Sequence, residues 1–296
     1  MTTRRAVLST NAPRPRAPPV AGKAVFSIAA AALLWSSGGL FIKLAPMPGL
    51  AVACGRSLVA AVFYLLVLRP HMRSARVTTA LAYAGCVVTF VAATKLTASA
   101  NAIFLQYTGP AYVLMLGPWL LDEPFRLIDA ICVALSLAGM SLFFVGKVEQ
   151  GQMLGNGLAA LSGVFFAFAI VFLRRDAKRG QGDALPSTTL GNIIAAACTL
   201  PWAWQTHLTG TGAMVLLYLG VVQLGIAYLF FIRGVRHVPA GEASLVSMLE
   251  PVLNPVWVFL GYGEKPGVWA LAGGAVVIAA VVIRTLVPNN RPAATT

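Results

Sequence analysis

Charged residues are scarce in this chain of 296 residues. Lys, Arg, Asp and Glu make up 10% of the sequence, whereas a typical soluble domain carries about 25%. Hydrophobic residues make up 58% of the sequence, and the mean hydropathy is +0.79. This composition excludes a water-soluble domain and indicates an integral membrane protein.

Residues that commonly catalyse reactions or bind metals are also few. The four cysteines lie within apolar runs without metal-ligand spacing, which favours a packing role: Cys54, Cys86, Cys132 and Cys198. The three histidines lie near the ends of apolar runs and share no face: His71, His207 and His237. The chain also lacks the GxxxxGK[ST] phosphate-binding loop, so we expect no ATP coupling within it. We predict no catalytic residue, no metal and no cofactor.

Long stretches without charge match the roughly 20 residues that a helix needs to cross the hydrocarbon core of a bilayer. Most links between them are only a few residues long, so neighbouring helices must run antiparallel and no soluble domain fits between them. We predict ten membrane spans: 24–44, 48–68, 77–96, 98–121, 125–146, 153–173, 185–205, 211–232, 239–262 and 266–287.

The net charge of +13 would suggest nucleic acid for a soluble protein, but here it follows from an uneven distribution of cations. With a cytoplasmic N-terminus, seventeen of the 22 lysines and arginines lie on the cytoplasmic side and four outside, with Arg56 within a span. The positive-inside rule therefore predicts that both termini are cytoplasmic. We expect residues 1–23 to form a disordered basic arm and residues 288–296 a C-terminal tail.

The fourth and fifth spans resemble the ninth and tenth when shifted by a constant 141 positions. Pro110 then overlies Pro251, and an acidic residue follows each proline after thirteen positions, Glu123 in one copy and Glu264 in the other. Together with the ten spans, this spacing predicts two repeats of five helices.

The predicted repeats comprise residues 24–147 and 152–287. Because each contains an odd number of helices, the second enters the membrane from the opposite side. The fold expected is therefore an all-α polytopic membrane protein, with ten transmembrane helices in a five-plus-five inverted repeat.

Several motifs resemble those of the drug/metabolite transporter superfamily, in its ten-helix EamA-type branch. They are the opening helix LLWSSGGLFIKL at 33–44, Arg56 early in the second helix, and the paired proline-centred helices that each precede an acidic turn. Within that branch the chain resembles amino-acid exporters of the YddG type. The resemblance covers residues 24–287 and implies export of small metabolites by alternating access, through a central cavity between the two halves.

The ninth span carries polar residues deep in the membrane. Ser247, Glu250, Asn254 and Trp257 follow one another at helical spacing and share one stripe. A charged residue at this depth costs about 2.5–3.5 kcal/mol on insertion scales, so it usually faces a wet cavity or a partner. We predict that the stripe lines a cavity. Glu250 either meets a substrate ammonium group or a proton, or is a structural group satisfied by Arg56 or neighbouring hydroxyls.

Glycine and proline interrupt corresponding spans of the two halves. The predicted helix breaks are Gly109 and Pro110 in the first repeat, and Pro251 and Pro255 in the second. In transporters built from inverted repeats, such paired interruptions lie at the binding site.

Further side chains are candidates for the lining of the same cavity: Trp35, Ser36, Tyr83, Gln106, Tyr107, Gln223 and Tyr228. Arg56 has three open interpretations, namely ligand contact, structural pairing and snorkelling towards the outer surface. The set combines a carboxylate, amides and aromatic rings, which suits zwitterions with an apolar side chain.

The leading hypothesis is a secondary transporter in the bacterial cytoplasmic (inner) membrane that exports amino acids, aromatic ones included. The alternatives are an exporter of drugs or other metabolites, an intramembrane enzyme, for which one deep acid without a deep histidine is a poor basis, and a channel. The expected partners are a small-molecule substrate and the lipid bilayer, not nucleic acid. Proton coupling stays open, and a monomer is compatible with the sequence.

Overall fold

The computed structural model describes residues 19–142, 153–179, 184–262 and 267–287. Within them every regular element is a helix, and none is a strand. The predicted fold class is therefore confirmed. Most of the predicted N-terminal arm, the C-terminal tail and Glu264 lie outside the described residues.

The α-helices are α1 (Pro19–Ser36), α2 (Gly38–Leu44), α3 (Gly49–Phe63), α4 (Val77–Leu96), α5 (Ser99–Gln106), α6 (Gly109–Leu121), α7 (Leu127–Ser141), α8 (Met153–Lys178), α9 (Ala184–Trp204), α10 (Gly210–Leu217), α11 (Ala227–Val235), α12 (Ala240–Ser247), α13 (Leu249–Tyr262) and α14 (Val268–Leu286). Two π-helices, Tyr64–Leu68 and Tyr218–Ile226, extend α3 and join α10 to α11. A short 3-10 helix covers Met72–Ser74.

These helices form ten successive spans, since α1 with α2, α5 with α6, and α12 with α13 are each two parts of one span. Among the described residues, six helical stretches are long and apolar enough to cross a bilayer: Gly22–Leu44, Gly49–Leu68, Val77–Leu96, Met153–Lys178, Gly210–Val235 and Val268–Leu286. The other four spans are shorter, interrupted or more polar. Large apolar side chains such as Phe26 and Trp119 are 71% and 87% exposed, as expected for surfaces that face lipid.

Two helices extend beyond the predicted spans. The first helix begins at Pro19, so residues 19–23 belong to it and not to the arm, because a proline is well tolerated in the first turn of a helix. Helix α8 continues to Lys178 instead of ending at residue 173. Its last turns carry basic side chains, which are favourable near the negative end of the helix dipole.

The packing of helices follows a pseudo-two-fold symmetry between the halves. Helix α4 packs extensively on α8, and the equivalent pair, α11 with α1, is also in close contact. The two helices expected next to the symmetry axis in each half pack on their own counterparts, α3 on α9 and α7 on α14. The central interface is therefore built from both halves of the chain.

The bounds of the broken helices agree with the same symmetry. The shift that takes Ser99 to Ala240 also takes Gln106 to Ser247 and Leu121 to Tyr262. The first break thus follows α5 and the second follows α12 at the matching position. The two repeats therefore correspond in the bounds of their helices as well as in their sequence.

Proline determines where these breaks fall. Pro110 and Pro251 occupy the first turns of α6 and α13, where the missing N–H would lack an intrahelical partner in any case. Each break lies about one turn before the proline, at the carbonyls that the proline leaves unpaired. The prediction that Pro255 also breaks a helix was wrong, because α13 continues through it.

Glycine allows the first break to approach a neighbouring helix. A Cβ atom on Gly109 would lie 2.9 Å from the carbonyl oxygen of Gly163 in α8, and one on Gly163 would lie 2.8 Å from that of Gln106. The backbones of α8 and of the α5–α6 break are therefore in direct contact. This close approach brings α5 to the centre of the molecule.

The two ends of the bundle are held by different kinds of interaction. At one end, Lys95 donates to the carbonyl oxygen of Ala45 and Thr97 bonds Asn156. The other end is held by ion pairs, such as that between Arg174 Nε and Glu123 Oε1 at 2.9 Å.

The ion pairs converge on the start of α12. Glu123 also accepts from the backbone N–H of Ala240 at 2.9 Å. Arg284, which is 1% exposed, pairs with Asp129 and lies 3.5 Å from Glu242. Charged side chains from α7, α12, α14 and the α6–α7 link therefore hold the half-helix that leads to the second break.

Candidate functional site

A small cavity lies where the two halves of the protein meet. Its volume is about 40 Å³, which leaves room for two or three water molecules. Seven spans contribute to its lining: Trp35, Arg56, Cys86, Val87, Phe90, Gln106, Phe166, Gln223, Leu224, Tyr228 and Glu250. Six of these residues were predicted from the sequence, and they come from both repeats.

Glu250 is held in this cavity by a tyrosine from the other half. The hydroxyl of Tyr107 donates to Glu250 Oε2 at 2.6 Å. Tyr107 is the residue at the first helix break, and Glu250 is the second residue of α13, directly after the second break. The two interruptions therefore meet through this hydrogen bond.

Arg56 lies in the same cavity and does not snorkel to the surface, because it is only 2% exposed. Its Nη1 donates to Gln223 Oε1 at 3.2 Å, and its Nη2 donates to the carbonyl oxygen of Val87 at 3.5 Å. Gln223 belongs to the π-helix between α10 and α11. A basic and an acidic side chain thus line one cavity, each held by neutral partners.

Aromatic rings form one wall of the cavity. Trp35 lies 4.9 Å from Tyr228 and 6.4 Å from Phe166, measured between ring centroids. Tyr83 does not line the cavity, but its ring contacts that of Tyr228 at 4.7 Å. Its hydroxyl accepts a hydrogen bond from Asn192 at 3.0 Å.

Several predicted residues lie beside the cavity instead of lining it. Trp257 Nε1 donates to Ser36 Oγ at 2.7 Å, which joins α13 to the end of α1. Asn254 lies next to Gly39, whose Cβ, if present, would be 3.0 Å from Asn254 Oδ1. Ser247 bonds the carbonyl oxygen of Ala243 in its own helix. The predicted stripe faces α1 and α2 over most of its length, and only Glu250 reaches the cavity.

Five lining residues were missed by the sequence analysis: Cys86, Val87, Phe90, Phe166 and Leu224. The sequence favours a packing role for Cys86, and in the structure its sulfur also accepts a long hydrogen bond of 3.5 Å from Gln106 Nε2. The apolar members carry no signal that separates them from other residues of a membrane helix. Only the packing of α4 on α8 brings them to the site.

A second, larger cavity opens at the end of the bundle that the ion pairs hold. Its volume is about 620 Å³, within the range of about 300–1,000 Å³ typical of ligand pockets. Charged side chains from several elements line it, including Glu123, Arg174 and Lys178. Lys178 donates to the carbonyl oxygen of Leu121. This cavity lies on the side that the cation distribution assigns to the cytoplasm.

Ten spans in an inverted repeat, with broken helices meeting at a polar cavity between the halves, are the architecture of a membrane transporter. The family comparison agrees with the geometry. The EamA-like transporter family model matches the chain twice, over residues 22–145 and 153–286. The chain belongs to this family.

Similar proteins are named as transporters without a stated substrate. An uncharacterized transporter of Archaeoglobus fulgidus is 25% identical over 67% of this chain and 71% of its own length. The uncharacterized transporter YxxF of Bacillus subtilis is 24% identical over 62% of this chain and 60% of its own length. A solved crystal structure covers 90% of this chain and 97% of its own, with a TM-score of 0.74 and 20% identity. At that identity the likeness concerns the fold.

Proposed function

We propose that this protein exports amino acids, aromatic ones included, by alternating access through the central cavity. The observation that carries the proposal is that Arg56 and Glu250 line one cavity together with aromatic rings. An amino acid has an ammonium group, a carboxylate and a side chain, and the cavity offers a complement to each. The likeness to YddG-type amino-acid exporters points the same way.

The proposed orientation places both termini in the cytoplasm, in a bacterial inner membrane. The large cavity near Arg174 and Lys178 is then the cytoplasmic entrance for an exported substrate. The central cavity is too small for an amino acid in this conformation, so substrate binding requires the halves to separate there. Glu250 lies where it can meet a substrate ammonium group, or carry a proton in exchange.

The test is counterflow in vesicles that contain the purified protein. Vesicles loaded with unlabelled L-phenylalanine should accumulate labelled L-phenylalanine from outside, and the initial rate should saturate with concentration. Vesicles without protein are the control. Flux that rises linearly with concentration would indicate a channel and contradict the proposal.

The same assay separates the alternative within this superfamily. If the vesicles accumulated large lipophilic cations while amino acids had no effect, the protein would be a multidrug exporter instead. Trp35 and Tyr228 would then bind the cation through their ring faces.

A further inference from the structure

Two of the side chains that line the central cavity carry buried N–H groups without an acceptor. Among the described residues, neither Trp35 Nε1 nor Arg56 Nε has a hydrogen-bond partner. Native proteins leave few buried donors unpaired, because such groups are destabilising. Two donors at the cavity are therefore available to an acceptor group of a bound molecule.

Among the described residues, Arg56 has no acidic partner in direct contact at the same place. Its hydrogen bonds go to two neutral oxygens, on Gln223 and Val87. Among the described residues, none of the ion pairs within 4.0 Å includes Arg56. A buried cation without a counter-ion is strongly unfavourable, whereas its hydrogen bonds to a carboxylate are about twice as strong as those between neutral groups.

Glu250 lines the same cavity but lies beyond ion-pair distance of Arg56. Its Oε2 accepts from Tyr107 at 2.6 Å, and within the described part of the chain it forms no ion pair. The two opposite charges therefore attract each other across one cavity without direct contact. A ligand that carries both charges in reverse would satisfy both.

We propose that Arg56, together with the indole N–H of Trp35, binds the carboxylate of the transported molecule while Glu250 binds its ammonium group. The inference rests on the proposed function and narrows its substrates to molecules with a free carboxylate beside an amino group. Amines, esters and amides with the same side chain lack the free carboxylate and are therefore not expected to be substrates. Gln223 is a positioning residue, because its bond to Nη1 orients the guanidinium group.

The test measures ligand binding by thermal unfolding of the purified full-length protein, with L-phenylalanine, L-phenylalaninamide and 3-phenylpropionate. The parent protein should bind phenylalanine at least about tenfold more tightly than the amide, since the amide loses a charge-assisted hydrogen bond. In Arg56→Gln this preference should disappear, so that phenylalanine and the amide bind about equally, while the affinity for the amide stays unchanged. Arg56→Lys, which keeps the charge without the planar fork, should give an intermediate preference.

A second variant separates binding from folding. Gln223→Glu places a carboxylate at the position that already accepts from Arg56, so the guanidinium gains an internal counter-ion. This variant should unfold at the parent temperature or above, yet lose the preference for the acid over the amide. If Arg56 were only structural, the variant would gain stability with no change in preference.

The outcomes distinguish this inference from the proposed function. Equal binding of phenylalanine and its amide by the parent, or an unchanged preference in Arg56→Gln, would overturn the role of Arg56 and leave amino-acid transport standing. Binding of 3-phenylpropionate as tight as that of phenylalanine, with the same dependence on Arg56, would support Arg56 and contradict the amino-acid proposal. If none of the three ligands binds, both proposals fail.

Discussion

Glu250 shows why a single carboxylate is kept deep in an apolar helix. It is 6% exposed, and its Oε2 accepts a hydrogen bond from the hydroxyl of Tyr107. A hydroxyl satisfies one acceptor site of a carboxylate that has several. The remaining capacity faces a cavity that Arg56 also lines. The arrangement is suited to a carboxylate that exchanges partners during transport.

We predict that Glu250→Gln loses most transport while remaining folded. The substitution keeps the shape and the bond to Tyr107 but removes the charge, and a hydrogen bond to a charged group contributes about 1.5–3 kcal/mol, or roughly tenfold to hundredfold in rate. The measurement is the initial rate of phenylalanine counterflow across a range of pH, at matched protein content.

Glu149→Gln is the matched control, because it removes the same charge between the two segments that the family model matches. This control should transport at the parent rate. A Glu250→Gln variant that did the same at every pH would show that Glu250 is structural.

At the scale of the helices, the important features are the two breaks. Their position one turn before Pro110 and Pro251 follows from the carbonyls that each proline leaves unpaired. The breaks place Tyr107 and Glu250 at the ends of half-helices, opposite each other. A continuous helix would offer the same side chains but could not change its direction at the cavity.

Pro251→Ala should slow transport without weakening substrate binding. Alanine restores an N–H that can bond the carbonyl oxygen of Ser247 and join α12 to α13. A bond of about 1 kcal/mol that must open in each cycle lowers the maximal rate about fivefold. The measurement is the maximal rate and the KM of counterflow for Pro251→Ala and for the parent protein.

Pro201→Ala in α9 is the control, since this proline also lies inside a membrane helix but away from the cavity. Its rate should match that of the parent. A Pro251→Ala variant with a raised KM and an unchanged maximal rate would show that Pro251 shapes the binding site instead of the motion.

The ion pairs around α12 make a separate prediction about stability. Arg284→Met removes the cation that pairs with Asp129 and lies 3.5 Å from Glu242, and breaking a buried pair costs about 3–5 kcal/mol. Asp129→Asn should be milder, because Arg284 keeps Glu242 as a partner. Unfolding in detergent by heat or denaturant measures both variants. If Asp129→Asn lost more stability than Arg284→Met, Glu242 would contribute little to the pairing of Arg284.

At the scale of the whole molecule, the central cavity is small, about 40 Å³, whereas the larger cavity of about 620 Å³ lies at the end rich in charge. The packing is pseudo-two-fold, so equivalent helix pairs, α4 with α8 and α11 with α1, meet on both sides of the centre. The end opposite the ion pairs is held by neutral hydrogen bonds and by single lysines on carbonyl oxygens, such as Lys95 on Ala45. We expect the two ends to open in turn.

The orientation of the molecule can be tested with two histidines that are both exposed, His71 and His207. In a background without the native cysteines, His71→Cys should resist an impermeant thiol reagent in intact cells, because it lies in a link assigned to the cytoplasm. His207→Cys should be labelled. Both should be labelled once the cells are opened, and the reverse pattern in intact cells would invert the proposed direction of the protein.

The sequence by itself determined the ten spans, the five-plus-five repeat and the depth of Glu250. These properties follow from hydropathy, charge and proline spacing, which act within one segment or between neighbours along the chain. The places of Pro110 and Pro251 were also readable, because a proline acts on the turn that precedes it. The effect of Pro255 was not, since a membrane helix can pass through a proline when its surroundings satisfy the backbone.

Only the tertiary structure decided which face of each helix meets which neighbour. Helical spacing placed Ser247, Glu250, Asn254 and Trp257 on one stripe, but packing against α1 and α2 left only Glu250 in the cavity. Phe166 carried no signal of its own, and the bond between Arg56 and Gln223 joins residues 167 positions apart. Such contacts depend on how closely backbones approach, as at Gly109 and Gly163, and no local pattern encodes that distance.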